Sequence, residues 1–190
     1  MKRIFFFLIF VMLVSGAYPL EFKILGGIDL SKSTEPFGGV WSEVYPVAKY
    51  GAGAILGGGI EFPLTQNIAL EVDGFYFQKG CWLELKYFDV VIGHEMERMN
   101  ELSFPVLLKI CLRPGTSPYL LGGGEFAFVL SNGPKRTDYG LVFGVGFRKQ
   151  LKRTCLSIEG RYHHGLQDTL TDSSILRKMR VFALMVGISI

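Results

Sequence analysis

Apolar and polar side chains alternate with a period of two in short segments that recur along the whole chain. The segments are about ten residues long and are separated by residues typical of turns. Successive side chains of a strand point to opposite faces, so each segment predicts a two-faced β-strand. Eight such segments occur, at residues 22–30, 50–62, 67–78, 101–110, 118–130, 139–148, 156–163 and 180–190.

The connections between these segments alternate in length. Short connections lie at residues 63–66, 113–117 and 150–153. Longer ones lie at residues 31–49, 79–98, 131–138 and 165–178. This alternation predicts an all-β, eight-stranded antiparallel up-and-down transmembrane β-barrel, with tight periplasmic turns, longer outward loops and both ends of the barrel on the short-turn side.

The composition of the two faces decides which one points outward. One parity is large and apolar, while the other is dominated by Gly, Ala and Ser with a few charges, which suits a narrow interior better than a surface in water. Aromatic residues also lie near strand ends on the apolar parity, where membrane interfaces favour them. They are Phe22, Tyr50, Phe62, Tyr76, Tyr139, Phe147 and Tyr162. The alternative is a soluble lipocalin-like barrel with the apolar face inward.

The N-terminus predicts export. Lys2 and Arg3 precede an apolar run over 4–14 and small residues at 15–17, the pattern of a signal peptide cleaved after Ala17. The run is too short to span a bilayer as a helix. We therefore expect a signal peptide over 1–17, a single barrel domain over 18–190 and a location in the outer membrane.

Composition excludes two broad classes of protein. With 49% hydrophobic and 19% charged residues and a net charge of +3, the chain is too apolar for intrinsic disorder. The same charge is too small for a nucleic-acid-binding protein. The three cysteines Cys81, Cys111 and Cys155 have no metal-binding spacing, and their odd number does not suggest a disulfide framework.

The inward parity predicts a charged network inside the barrel. Its members are Lys23, Asp29, Glu61, Glu71, Asp73, Glu101, Lys109, Glu125, Arg148, Glu159 and Arg161. Eight strands leave an interior just wide enough for side chains to fill, so a wide aqueous pore is not expected. The buried charges must then compensate one another, and the network stiffens the barrel. A gated or proton-linked path is the alternative.

Five segments in order resemble one known family. They are LEVDGFYFQKG at 70–80, LSFPVLLKI at 102–110, PYLLGGGEFAFVL at 118–130, DYGLVFGVGF at 138–147 and LSIEGRYHHGL at 156–166. Together they look like the PorT-like outer-membrane β-barrel family, often labelled porin-family proteins. The resemblance implies an integral outer-membrane barrel of a Gram-negative bacterium, and some members of that family are linked to secretion machinery.

No catalytic, cofactor-binding or metal-binding site is predicted. Some outer-membrane barrels modify lipid A with a Ser/His pair, and His163 and His164 lie at the outer end of the seventh strand. Asp168, Thr169 and Ser173 follow close by in sequence. However, no nucleophile elbow or oxyanion-hole segment accompanies them, so a lipid-modifying enzyme is only an alternative.

The sequence thus predicts a non-enzymatic, monomeric outer-membrane barrel with a structural or interaction role through its outward loops. Its expected partners are outer-membrane lipid and an extracellular or secretion-apparatus protein that contacts the loops. Exposed aromatic residues of the first two outward loops, such as Trp41, Trp82 and Phe88, support such contacts. A narrow channel for small solutes or ions is the first alternative function.

Overall fold

The computed structural model describes residues 19–34, 44–88, 90–130, 137–166 and 178–190. The predicted signal peptide and parts of the outward connections lie outside these residues. The described residues form eight strands in chain order. They are β1 (Glu21–Ser33), β2 (Val44–Pro63), β3 (Ile68–Tyr87), β4 (Val90–Cys111), β5 (Ser117–Val129), β6 (Thr137–Gln150), β7 (Cys155–Gly165) and β8 (Met179–Ser189).

The strands close into a barrel. Each strand pairs antiparallel with the next, and β1 pairs antiparallel with β8 from Lys23↔Ser189 to Ser33↔Met179. Closure pairs the backbone groups of every strand and leaves no free sheet edge at the level of this seam. Among the described residues, no helix is long and apolar enough to cross a bilayer.

The two faces of the sheet differ as the alternation predicts. Side chains such as Ile24, Leu56 and Val145 are mostly exposed on the outer wall, at 71%, 64% and 61% respectively. The charged residues of the opposite parity are buried inside. An apolar wall of this extent would be a severe aggregation hazard in water, but it matches a lipid environment.

The second outward connection is much shorter than the sequence predicts. We expected a loop over residues 79–98, but β3 continues to Tyr87 and β4 begins at Val90, so only two residues separate the strands. The prediction was wrong because Lys79, Cys81 and Leu83 keep the inward parity of β3 and therefore continue the strand. The ladder between β3 and β4 extends with them to Tyr87↔Val90.

Three strands consequently rise beyond the rest of the barrel. The pairing of β1 with β2 ends at Ser31↔Gly51, and the pairing of β5 with β4 begins at Glu101↔Val129. Above these levels β2, β3 and β4 continue as a three-stranded sheet, here named the outer extension, over residues 44–50, 80–87 and 90–100. Within the described residues the barrel is therefore asymmetric, because the β2–β4 side extends further outward than the other strands.

Pro105 interrupts one ladder without shifting its register. The pairing of β3 with β4 passes from Val72↔Val106 to Phe75↔Ser103, and the two intervening pairs are missing. Proline has no backbone N–H, so it cannot donate to the neighbouring strand. The register on both sides of the gap is the same, so the interruption is a local opening rather than a bulge.

Candidate functional site: the charged lumen and the outer extension

Eight of the predicted inward charges meet near the short-turn end of the lumen. We name this set the lower network: Lys23, Glu61, Glu71, Asp73, Lys109, Arg148, Glu159 and Arg161. Lys109 Nζ lies 2.6 Å from Glu61 Oε2, and Arg148 Nη1 lies 3.5 Å from Glu61 Oε1. Four basic and four acidic side chains of this set thus compensate one another, and Arg148 Nη2 also pairs with Glu21 Oε1 at 3.3 Å.

Arg161 is the centre of the lower network. Its guanidinium reaches Glu71 at 2.6 Å and Asp73 at 2.7 Å, and it also pairs with Glu159. Lys23 Nζ pairs with Glu71 from the other side. The Arg161 side chain is fully buried, and such a planar, multiply bonded cation is well suited to holding several carboxylates together.

An apolar layer lies next along the lumen. Its core consists of Leu25, Ile55, Phe75, Phe77, Val181, Ala183 and Met185, all buried and in mutual contact. A separate cluster, formed by Leu107, Cys111, Tyr119, Leu121 and Val142, lies on the other side of the lumen and reaches down to the lower network, where the Tyr119 hydroxyl donates to Glu159. Close-packed apolar side chains leave little room for a file of water, so this layer fills the side of the lumen formed by β1, β2, β3 and β8.

A second polar group lies between the apolar layer and the outer extension. We name it the upper network: Asp29, Ser31, Lys79, Glu101, Ser103, Glu125 and His163. Lys79 Nζ donates to Glu101 Oε1 at 2.6 Å. His163 Nδ1 lies 2.7 Å from Glu125 Oε2, which also accepts a hydrogen bond from Ser103 Oγ at 2.9 Å.

The structure places all eleven predicted charges on the inner face and divides them between the two networks. Asp29, Glu101 and Glu125 belong to the upper network, and the rest belong to the lower one. Sequence reasoning missed Lys79 because it assigned this residue to a loop. Lys79 supplies the cation that pairs with Glu101, and its parity with Glu71 and Asp73 was the signal that identified it as inward.

The two neighbouring histidines point in opposite directions. His163 is buried in the lumen, whereas His164 lies on the outer wall with its Nδ1 3.1 Å from the Tyr162 hydroxyl. Asp168, Thr169 and Ser173 lie outside the described residues. Among the described residues, no group of three or more His, Cys, Asp or Glu side chains is arranged to hold a metal ion.

The tip of the outer extension exposes apolar side chains. Phe88 is 69% exposed, and Tyr87, Val90 and Ile92 beside it are also exposed. The Tyr87 and Phe88 rings pack edge to face with centroids 4.7 Å apart. Aromatic and aliphatic groups at the far end of a projecting sheet form a surface suited to contact with another molecule.

Solved structures share this architecture. The outer membrane protein OprG from Pseudomonas aeruginosa superposes with a TM-score of 0.58 at 14% identity, covering 89% of this chain and 94% of that one. The outer membrane protein AlkL, determined in DMPC lipid bilayers, superposes with a TM-score of 0.55 at 13% identity, covering 90% of this chain and 88% of that one. No family model and no curated protein matches the sequence. The chain therefore has the fold of outer-membrane β-barrel proteins.

Proposed function

We propose that the chain is a monomeric, eight-stranded integral outer-membrane protein, exported by a signal peptide over residues 1–17. The continuous apolar outer wall and the charged interior support this placement, as does the likeness to barrels of the same membrane. The short turns at residues 64–67, 112–116 and 151–154 then face the periplasm. The outer extension projects from the cell surface.

Its role is non-enzymatic and lies in structure and interaction rather than transport. The observation that carries this proposal is the occupied lumen, in which the fully buried Arg161 reaches from β7 to Glu71 on β3 and lies against the Phe75 ring of the apolar layer. With the interior occupied by its own side chains, the surface that the described residues offer to other molecules on the outward side is the outer wall and the outer extension. A narrow channel for solutes or ions remains the rival function.

The hydrogen bonding of His163 supports a non-enzymatic role. A serine nucleophile needs its hydroxyl on the histidine base, with the carboxylate behind that base. In the upper network Glu125 lies between the two, because it accepts hydrogen bonds from both Ser103 and His163. Ser103 and His163 are also both buried in the lumen, away from the acyl chains that a lipid-modifying enzyme acts on.

The outer extension carries the interaction surface in this proposal, with an extracellular or secretion-apparatus protein as its partner. Exposed Phe88, Val90 and Ile92 supply apolar contacts at its tip. The PorT-like segments of the sequence support the link to secretion, because some members of that family act beside secretion machinery.

Fractionation and conductance test the membrane role together. We expect recovery in the outer membrane, a gel mobility that shifts on boiling, and no stable conductance in planar bilayers. A soluble periplasmic species without a mobility shift would exclude the membrane placement. Stable single-channel conductance steps from a homogeneous preparation would contradict the interaction role and support the channel.

Photo-crosslinking tests the interaction surface. A photoreactive residue at Phe88 is expected to trap one defined partner in cells, and the same residue at Lys152, in the turn at the opposite end of the barrel, is expected to trap a different set. The trapped partner is expected to disappear in a Val90→Ser, Ile92→Ser background. Identical products from both positions would contradict the assignment of the outer extension.

A further inference from the structure

A row of basic side chains crosses three neighbouring strands on the outer wall. Lys32 of β1 is the cross-strand partner of Arg180 of β8, and Arg180 borders His164 of β7. All three occupy outward positions, and Arg180 is exposed. Because adjacent strands lie about 4.8 Å apart, the three side chains start within roughly 10 Å of one another.

Lys178 adds a further cation next to this row. Its backbone N–H donates to Thr34 Oγ1 at 2.9 Å, and its carbonyl accepts the Thr34 N–H at 2.9 Å. Those bonds fix Lys178 two residues above Arg180 on the same outward parity. The outward positions of β1, β7 and β8 hold no acidic residue, so this wall offers its cations no carboxylate of its own.

Aromatic rings form the next row toward the middle of the membrane. Phe182 is the cross-strand partner of both Leu30 and Tyr162, and the Tyr162 and Phe182 ring centroids lie 4.8 Å apart. Tyr50 extends the belt to β2, with Lys32 Nζ 6.0 Å from its ring centroid. Aromatic side chains of this kind mark the boundary between acyl chains and headgroups, which places the basic row at headgroup level.

An apolar groove of about 530 Å³ opens on the outer wall directly below these rings. Leu120, Phe143 and Val145 line it together with Tyr162 and Phe182. Gly160 lies in its floor, and no atom lies within 4 Å of the position that a Cβ there would occupy. The groove is therefore shallow and apolar, it opens toward lipid, and a side chain at position 160 would have room to fill it.

We propose that the basic row and this groove together bind one phosphate-bearing glycolipid of the outer leaflet, of the lipid A type. Its phosphates contact Arg180, Lys32 and Lys178, and one acyl chain lies in the groove over Gly160. Arginine binds phosphate oxygens in a bidentate manner, and lysine adds a point charge. Several cations in a row match a headgroup with more than one phosphate better than a headgroup with a single phosphodiester.

This inference rests on the proposed outer-membrane location, and the test distinguishes failure of the lipid site from failure of that location. The protein is purified in a neutral detergent and titrated with synthetic bis-phosphorylated lipid A, and the bound fraction is read by native mass spectrometry. We expect Lys32→Ala with Arg180→Ala to weaken binding by about tenfold or more. The matched pair Lys149→Ala with Lys152→Ala removes the same charge near the opposite end of the barrel and is expected to leave binding unchanged.

Gly160→Phe fills the groove without changing any charge and is expected to weaken binding as well, while the heat-dependent gel shift is retained. Equal binding by the Lys32, Arg180 double variant, or equal binding of lipid A without phosphates, overturns the proposal. Phosphatidylglycerol that binds as tightly as lipid A overturns the glycolipid assignment. If the binding results contradict the proposal while the protein fractionates with the outer membrane, only the lipid site is rejected. If the protein does not fractionate with the outer membrane, the proposed location itself is rejected.

Discussion

Arg161 on β7 reaches across the lumen to Glu71 on β3, and its Nη2 lies 2.6 Å from Glu71 Oε1. The two strands are four steps apart in a ring of eight, so the pair joins opposite walls of the barrel. Neither side chain has any exposed area. This ion pair thus occupies part of the lumen and connects its opposite sides.

Replacing Arg161 with Met is expected to destabilise the barrel. The change leaves the buried carboxylates of Glu71, Asp73 and Glu159 without their main cation, a loss of about 3–5 kcal/mol. Urea unfolding in detergent, followed by far-UV circular dichroism, measures it. Arg180→Met, on the exposed outer wall, is the control and is expected to change stability by at most about 0.5 kcal/mol. Equal unfolding midpoints for the two variants would contradict the central role of Arg161.

The buried pair of Lys79 and Glu101 allows a double-mutant test. Lys79→Met alone leaves the Glu101 carboxylate buried without its partner and is expected to cost about 3–5 kcal/mol. Lys79→Met combined with Glu101→Leu removes both charges and is expected to recover most of that loss. The same urea unfolding assay measures the free energy of unfolding of the unmodified protein, the single variant and the double variant. A double variant no more stable than Lys79→Met alone would contradict the expected recovery.

Gly27 is expected to be essential for closing the seam between β1 and β8. A Cβ at Gly27 would overlap the backbone carbonyl oxygen of Leu184 on β8. Gly27→Ala therefore forces the two strands apart, and we expect loss of the compact gel band seen without boiling. Gly26→Ala is the control, because the nearest atom to its Cβ would be Leu56 Cδ1 at 3.6 Å, an ordinary contact. Normal folding of Gly27→Ala would contradict this seam geometry.

The three cysteines are expected to react with a maleimide only after unfolding. Cys81, Cys111 and Cys155 are free and are 3%, 8% and 5% exposed. We expect the folded barrel to label slowly and the denatured chain to take up one label for each cysteine, as counted by intact mass. An exposed reference thiol, introduced as Lys152→Cys, should label quickly in the folded state. Rapid labelling of the unmodified folded chain would place a cysteine at the surface.

Local alternation predicts much of the fold. A strand with one apolar face and one face of small or charged residues can lie in a bilayer wall in only one orientation. For this reason the sequence alone predicts that Glu71 and Asp73 point into the lumen. The same rule applies to Lys79, which the sequence prediction assigned to the loop over residues 79–98. The alternation persists there because the two strands pair with each other, and a single sequence does not display that pairing.

The partners within the lumen were beyond sequence reasoning. Parity places Glu71 and Arg161 inside, but the tilt and stagger of the closed sheet decide which residues of distant strands share a level. His163 illustrates the same limit, because parity predicts its inward position but not its partner. It follows Glu159 and Arg161 in parity, yet its contact with Glu125 depends on how far β5 is staggered against β7.

The lower network also constrains the order in which the barrel is assembled. Lys23, Glu71 and Arg161 lie on β1, β3 and β7, so no hairpin of adjacent strands contains a complete set of these partners. Hairpins entering the bilayer one at a time would carry uncompensated charges into an apolar medium at high cost. The sheet therefore has to enter nearly complete, with β7 arriving while β3 is already in place.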